Sequence, residues 1–372
     1  MKTEWTNSNE QCTMNNVQWK KVKLGDCCES ELGKTLDEGR NTGLYRPYLC
    51  ALNVLWGKID LSTIKKMRIE DSELERYLVK KGDLLVCEGG EIGRCAIWEY
   101  DDVIYYQNAL HRVRFYEGYD ARFFMYLLCH YNDLKLIEQY GKGLTIKHLN
   151  QTAFRNIPVS IPSLPVQRRI SSILSSADKV IASTQKVIDK LKQIKQGMMD
   201  DLLKPKDGWR MVKLGEVLTI GNGQDYKHLL SGGVPVYGTG GIITYVDSFL
   251  YDGETVCIGR KGTINRPIFF NGKIWTVDTL FYTHSFIDVL PIFIFYIFCN
   301  IDWNKFNEAT GVPSLSKETI YRIDIYIPDL SEQRRISTIL SGIDSKIAAE
   351  EKVLEKYKAV KKGLMEKLLN GK

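Results

Sequence analysis

PSLPVQRRISSILSSAD (Pro162 to Asp178) and PDLSEQRRISTILSGID (Pro328 to Asp344) are one passage written twice. In each, a proline leads into a Gln-Arg-Arg-Ile-Ser core, and apolar residues then recur at helical spacing. Upstream of each lies a long variable body, and upstream of each body a Trp-led octet: WKKVKLGD (Trp19 to Asp26) and WRMVKLGE (Trp209 to Glu216). The octets are 190 residues apart and the exit passages 166, so the second body is 24 residues shorter. One frame around two unequal bodies implies one scaffold presenting two different surfaces. That arrangement suits a long ligand with a repeating backbone, and duplex DNA is such a ligand.

The exit passages open long helices. From Ile170 the apolar positions run Ile173, Ala177, Val180, Thr184, Val187, Leu191, Ile194 and Met198, the alternating steps of a heptad seam. Pro165 suits a first helical turn, Ser163 a cap, and Pro205 and Gly208 a stop. About 38 residues at 1.5 Å each make a rod of about 57 Å. The second seam reads Ile336, Ile339, Ile343, Ile347, Val353, Leu354, Tyr357, Val360 and Leu364, with Lys346 and Glu350 interrupting it and Gly371 near its end. Two such helices in one chain are expected to pack antiparallel as a coiled coil.

Within the bodies, Asp83–Cys87, Cys95–Trp98, Val103–Tyr106 and Arg112–Phe115 read as strands, followed by a buried helix at Phe123–Cys129. The second body repeats this with Glu254–Ile258, Pro267–Phe270, Ile274–Val277 and Leu280–Thr283, then the apolar run Val289–Cys299. Phe123, Tyr126 and Cys129 align with Phe293, Tyr296 and Cys299 at an offset of 170. The expected fold class is therefore α/β (mixed). Two lobes of strands and helices are joined by two long antiparallel coiled-coil helices, with an internal pseudo-twofold repeat. The segments are 1–162 and 207–328 for the lobes, and 163–206 and 329–372 for the helices.

With 372 residues the chain suits two or three domains. No stretch approaches the roughly 20 apolar residues of a membrane span. The first residues, MKTEWTNSNEQ, lack the apolar segment of a signal peptide. Nine cysteines without CxxC spacing read as reduced thiols, so a cytoplasmic protein is expected. The net charge of +6 is concentrated in the helices: residues 166–206 carry nine Lys or Arg against four Asp or Glu, and residues 332–372 ten against six. The lobes are not basic overall, so a DNA-facing surface on them must come from local clusters.

At this point the motifs carry a resemblance. The Gln-Arg-Arg-Ile exits, the Trp-led octets, PYLCALNVLWGKIDLS (Pro47 to Ser62), YQNALHRVR (Tyr106 to Arg114), PVYGTGGI (Pro235 to Ile242) and TVDTLFY (Thr276 to Tyr282) resemble the specificity subunit of type I restriction–modification systems. The resemblance covers nearly the whole chain. It implies two target recognition domains, each reading one half of a bipartite double-stranded DNA sequence. It also implies helical regions that set the gap and dock two methyltransferase (modification) subunits, in a complex with restriction/translocase subunits. AdoMet, ATP and Mg would then sit on those partners and none on this chain. The second lobe is short for the family, so a recognition loop there is expected to be trimmed.

The residues themselves offer no catalytic signature. There is no GxxxxGK[ST] phosphate loop and no Asn-Pro-Pro-Tyr or Asp-Pro-Pro-Tyr methyltransferase motif. The five histidines are scattered without metal-ligand spacing, so no metal is expected. A non-enzymatic DNA-binding chain is the main reading; an orphan specificity protein in inactive complexes, or a coiled-coil scaffold, are the alternatives.

The best DNA-facing candidates are Arg260 and Lys261, framed by Gly259 and Gly262 at a strand end, with Asn265 and Arg266 following. Arginine and asparagine can both read base edges bidentately. The matching turn in the first lobe, Glu88 to Arg94, offers Arg94. Lys142, Lys147 and His148 lie in the loop before the first rod, as Lys317 does before the second. Gln224, Tyr226 and Lys227 form another edge, as do Arg40, Arg46 and Lys58. Arg112 and Arg114 flank a buried Val113, which would make one sheet face basic. For partner docking the helix heads offer Gln167, Arg168, Arg169, Gln333, Arg334 and Arg335, although the helix dipole disfavours cations there and a structural role is as good a reading.

Overall fold

The structure, a computed structural model, describes residues 18–37, 39–143 and 147–370. The leading MKTEWTNSNEQ and Gly371 lie outside the described residues. The chain divides into two compact units: residues 1–183 with 355–372, and residues 184–354. Compactness therefore cuts across chain order, since each unit takes one lobe and part of both long helices.

In the first unit the Trp-led octet forms β1 (Lys20–Lys23), followed by β2 (Cys28–Leu32). One sheet of the lobe contains β3 (Leu44–Leu49), β4 (Lys65–Ile69), β5 (Leu78–Val79) and a later strand. The other contains β2, β6 (Leu84–Cys87), β7 (Cys95–Ile97) and another later strand. The later strands are β8 (Ile104–Tyr106) and β9 (Leu110–Phe115), giving the orders β4-β3-β8-β5 and β2-β9-β6-β7. Helix α1 (Ala121–Asp133) is capped by Asp120, whose carboxylate accepts from the Phe123 amide. The short helix α2 (Gln151–Arg155) leads into β10 (Pro158–Ile161), which pairs antiparallel with β1. The octet thus closes the lobe against the strand that feeds the long helix α3 (Leu164–Leu202).

The second unit repeats the plan. Strand β11 (Arg210–Lys213) is followed by β12 (Thr219–Asn222), β13 (Ser231–Gly238), β14 (Gly241–Val246), β15 (Tyr251–Gly259), β16 (Ile268–Thr276) and β17 (Leu280–His284). Six of these form one sheet in the order β12-β17-β15-β16-β13-β14. Helices α4 (Pro291–Asn300) and α5 (Lys317–Tyr321) precede β18 (Asp324–Ile327), which pairs with β11, and the long helix α6 (Leu330–Leu369). The expected pair Pro267–Phe270 and Ile274–Val277 is one strand, β16. In the first lobe the loop after Ile97 separates β7 from β8; here only Asn271-Gly272-Lys273 intervenes. Gly272 stays in register opposite Gly253, both at positive φ. That continuity merges two sheets into one.

Each lobe buries its apolar helix against both long helices. In the first unit Phe123, Phe124 and Leu127 of α1 share a core with Ile170 and Leu174 of α3 and with Met365, Leu368 and Leu369 of α6. In the second, Phe293, Ile294 and Ile297 of α4 share one with Ile336 and Leu340 of α6 and with Met199 of α3. The helices run antiparallel in each unit: Asp178 meets Lys361 at 2.5 Å in the first, and Lys195 meets Asp344 at 2.6 Å in the second.

Every second position of the expected α3 seam holds, with Ile170 and Thr184 buried and Ala177, Leu191 and Met198 half-buried, while most of the positions between them shift by one residue. The residues turned inward on α3 are Leu174, Ile181, Thr184, Ile188, Lys195 and Met199, while Val180, Val187 and Ile194 are exposed. On α6, Tyr357 and Val360 are exposed and Lys361 is drawn in. Two seam places are thus held by lysines, because each ammonium finds a specific partner. Tyr126 donates to Asp178 at 2.6 Å, and Lys361 lies 5.5 Å from the Tyr126 ring centre. Tyr296 donates to Asp344 at 2.9 Å, and Lys195 lies 5.5 Å from the Tyr296 ring centre. Burial, with the adjacent carboxylate, pushes both phenol pKa values up, so both stay protonated donors.

Candidate nucleic-acid interface

The Gly-framed turn after β15 is fixed by backbone bonds on both sides. Arg260 N–H donates to Thr279 O, Gly262 N–H to Pro313 O, and Leu315 N–H to Arg260 O, all within 2.8–2.9 Å. Held this way, Arg260 and Lys261 line an open cleft of about 410 Å³ together with Lys317, the first residue of α5. Asn222, Phe281 and the acids Glu308 and Glu318 are also in its lining. The guanidinium of Arg260 and the ammonium of Lys317 both lie over the Phe281 ring, at 5.9 and 6.0 Å. Ser316 caps α5 by accepting from the Thr319 amide. Asn265 and Arg266 are exposed just beyond the turn. The Arg260–Lys261 pair and Lys317, 56 positions further on, therefore converge.

Gln224 is exposed and tied down by its backbone, donating to Thr276 O at 2.8 Å and accepting from the Trp275 indole at 2.9 Å. Tyr226 packs beside Trp275, while Lys227 projects into solvent.

The first lobe repeats the same backbone bonds. Glu88 N–H donates to Ala109 O at 2.9 Å, and Leu149 N–H to Glu88 O at 2.7 Å. These bonds match those of Arg260 position by position. Lys142, Lys147 and His148 are exposed in the facing loop, where Lys142 and His148 exchange both backbone bonds. Lys147 reaches Glu138 at 3.5 Å. Where the second lobe has Phe281, the first has His111, fully buried and stacked on Phe154 at 5.3 Å. Its Nε2 donates to Leu149 O at 2.6 Å.

Burial holds the His111 pKa below the ordinary histidine value near 6.5, with the Leu149 bond opposing. The unfolded chain therefore binds this proton first as pH falls, and stability drops as pH goes below about 6.5. Replacing His111 with Phe, the occupant of the sister position, is expected to flatten that dependence in denaturant titrations from pH 7.5 to 5. The lost bond to Leu149 O should cost about 1 kcal/mol at the upper end.

Five sequence candidates are instead structural. Arg112 is buried, donating to Arg76 O, Leu78 O and the Glu31 carboxylate at 2.7–2.9 Å. Arg114 grips Asp83 through two bonds of 2.8 and 3.0 Å. The two arginines do share a sheet face, but Glu31 and Asp83 neutralise it. Arg94 donates to Ala51 O at 2.7 Å and pairs with Glu91. Gln167 is buried; its Oε1 accepts from the Asp120 amide and its Nε2 donates to Pro162 O. Gln333 does the same with the Leu290 amide and with Pro328 O and Asp288 O. The Gln of each exit passage thus bolts the lobe's apolar helix to the head of a long helix, and it is not free for a partner. Arg168, Arg169, Arg334 and Arg335 are exposed at those heads, Arg335 paired with Glu332 at 2.6 Å. Arg40 and Arg46 pair with Asp37 and Asp71, and Lys58 is exposed. The sequence reading did not single out Phe281 or Asn222; aligning the two lobes strand by strand would have found both.

Two lobes of one design on paired helices is also what comparison with known proteins returns. The family described as Type I restriction modification DNA specificity domain matches residues 16–193 and 206–359. The chain belongs to that family. Its two matched regions make it a type I specificity chain with two recognition domains. The specificity chain is 29% identical over 294 residues to the type I restriction enzyme MjaVIII specificity subunit of Methanocaldococcus jannaschii, covering 64% of this chain and 68% of that protein. Its fold is similar to that of the S subunit of the type I restriction–modification system of M. genitalium, with a TM-score of 0.63 at 17% identity over 95% and 97% of the two chains. A second structure, from work on complex assembly and conformational transition of the type I R-M system, gives 0.60 at 16% over 96% and 99%. Among the described residues, no cluster of His, Cys, Asp or Glu could hold a metal, and no helix is long and apolar enough to cross a membrane.

Proposed function

We propose that this chain is the DNA-reading, non-catalytic component of a type I restriction–modification complex in the cytoplasm. Each lobe reads one half of a bipartite duplex target. The paired helices set the spacing and dock two methyltransferase subunits, to which restriction/translocase subunits add; AdoMet, ATP and Mg belong to those partners. The observation that carries this reading is the turn-and-loop pair built twice on the same backbone bonds but bearing different side chains. One architecture reading two sequences needs that combination. Val180, Val187 and Ile194, exposed at seven-residue intervals along α3, support partner docking.

Exchanging residues 209–327 for the matching lobe of a relative is expected to change one half of the methylated sequence and leave the other intact, as read by methylation mapping. A change in both halves would sink the modular reading. The purified chain alone, given labelled AdoMet and DNA, is expected to transfer no methyl groups until modification subunits are added.

A further inference from the structure

The turn and facing loop share a backbone plan in the two lobes but not a charge plan. In the first lobe the turn wall presents Glu88 and Gly89, and the facing loop presents Lys142, Lys147 and His148. In the second the turn wall presents Arg260 and Lys261, and the facing loop presents Glu308. The equivalences are fixed by hydrogen bonds rather than by alignment alone. Glu88 and Arg260 both accept from the leucine that precedes the short-helix cap, Leu149 or Leu315. Lys142 and Glu308 each donate an amide to the residue before that leucine, His148 or Ser314. Both positions therefore carry opposite charge in the two lobes. Neither acid is incidental. Glu308 accepts from Ser316 Oγ at 2.7 Å and from the Thr319 hydroxyl, which hold its carboxyl below the usual range, so it stays charged. Glu88 is half-buried in the turn, and as a carboxylate it repels an incoming phosphate.

Resting on the proposed function, we infer that the lobes hold the DNA backbone with opposite walls of the same turn-and-loop pair. The first uses the loop of Lys142 and Lys147, and the second uses the turn of Arg260 and Lys261. Like charges exclude phosphate from the other wall in each case. The two half-sites are then gripped at non-equivalent phosphates, even though the folds reading them are equivalent. Lys317, which shares the Phe281 ring with Arg260, adds to the second grip, whereas its counterpart Gln151 is neutral and turned to Ser30 O.

The test uses the full chain assembled with modification subunits, on a duplex carrying the target found by methylation mapping. Binding is measured against salt concentration, and contacted phosphates are located by ethylation interference. Each phosphate contact contributes about 0.9 to the slope of log affinity against log salt. The pair Lys142→Gln with Lys147→Gln is expected to flatten the slope by about 1.8 and to erase interference in one half-site only. Arg260→Gln with Lys261→Gln should do the same in the other half-site. Glu88→Arg should steepen the slope and create a new interfering phosphate, a gain that misfolding cannot mimic. If either double substitution left slope and interference unchanged, or Glu88→Arg gained no contact, the wall assignment would be wrong while the DNA-reading function stood. If the unsubstituted complex showed no sequence-dependent binding, both would fall together.

Discussion

Gln333→Ala is expected to destabilise the second unit by about 3 kcal/mol. The side chain is fully buried and makes three bonds of 2.9–3.0 Å, one accepted from Leu290 N–H and two donated to Asp288 O and Pro328 O. Truncation removes the buried partner of one amide and two carbonyls, and each group left without it costs on the order of 1 kcal/mol. Gln333→Glu is a sharper probe. It keeps the acceptor for Leu290 but turns two donors into an acceptor facing carbonyls, so it should be at least as harmful. Denaturant unfolding of the whole chain measures both. A loss under about 0.5 kcal/mol, the size of an ordinary surface substitution, would show that the bolt is not a stabilising contact. The equivalent Gln167→Ala should act on the first unit.

Asp344→Ala is expected to cost about 2–3 kcal/mol, most of it through the phenol. The bond from Tyr296 is charge-assisted and mostly shielded, whereas the Lys195 pair is more open to solvent and worth less. Tyr296→Phe removes the stronger bond alone and should account for most of the loss. Removing both partners should cost clearly less than the sum of the single losses, since they report one interaction. Full additivity would mean that the contact contributes nothing of its own. Asp178, with Tyr126 and Lys361, should give a parallel cycle in the first unit.

These two contacts also show how far the sequence could be read. The exit passages could be aligned because both keep the Gln that bolts and the Asp that receives the phenol, and Tyr126 and Tyr296 already stood at matching offsets. What each residue held could not be read, since Gln333 finds its partners 43 and 45 positions away and Asp178 meets a lysine 183 positions on. Alternate positions of the α3 seam were misplaced by one residue for a related reason. Val187 and Ile188 are adjacent and equally apolar, and only the lysine latch shows which line faces inward. Most strands were legible because glycine and acidic turns punctuate them; β16 was split in two because Asn-Gly-Lys reads as a turn but is too short to open a loop. The Arg112 and Arg114 face looked basic because Glu31 is 81 positions from Arg112 in the chain. The convergence of Arg260 and Lys261 with Lys317 was anticipated only as a basic pair and a separate lysine.

The make-up of the first core sets an order in time. Met365, Leu368 and Leu369 are part of the core that holds Phe123 and Ile170, and His130 of α1 bonds to Asn370 at 2.9 Å. A ribosome making this chain completes residues 184–354 before it releases the residues that seal the lobe it made first. At about 5–20 residues per second, that lobe waits roughly 10–40 seconds with one side of its core open. The lobe synthesised first is the last to close, and during that interval its uncovered apolar helix is the surface a chaperone would find.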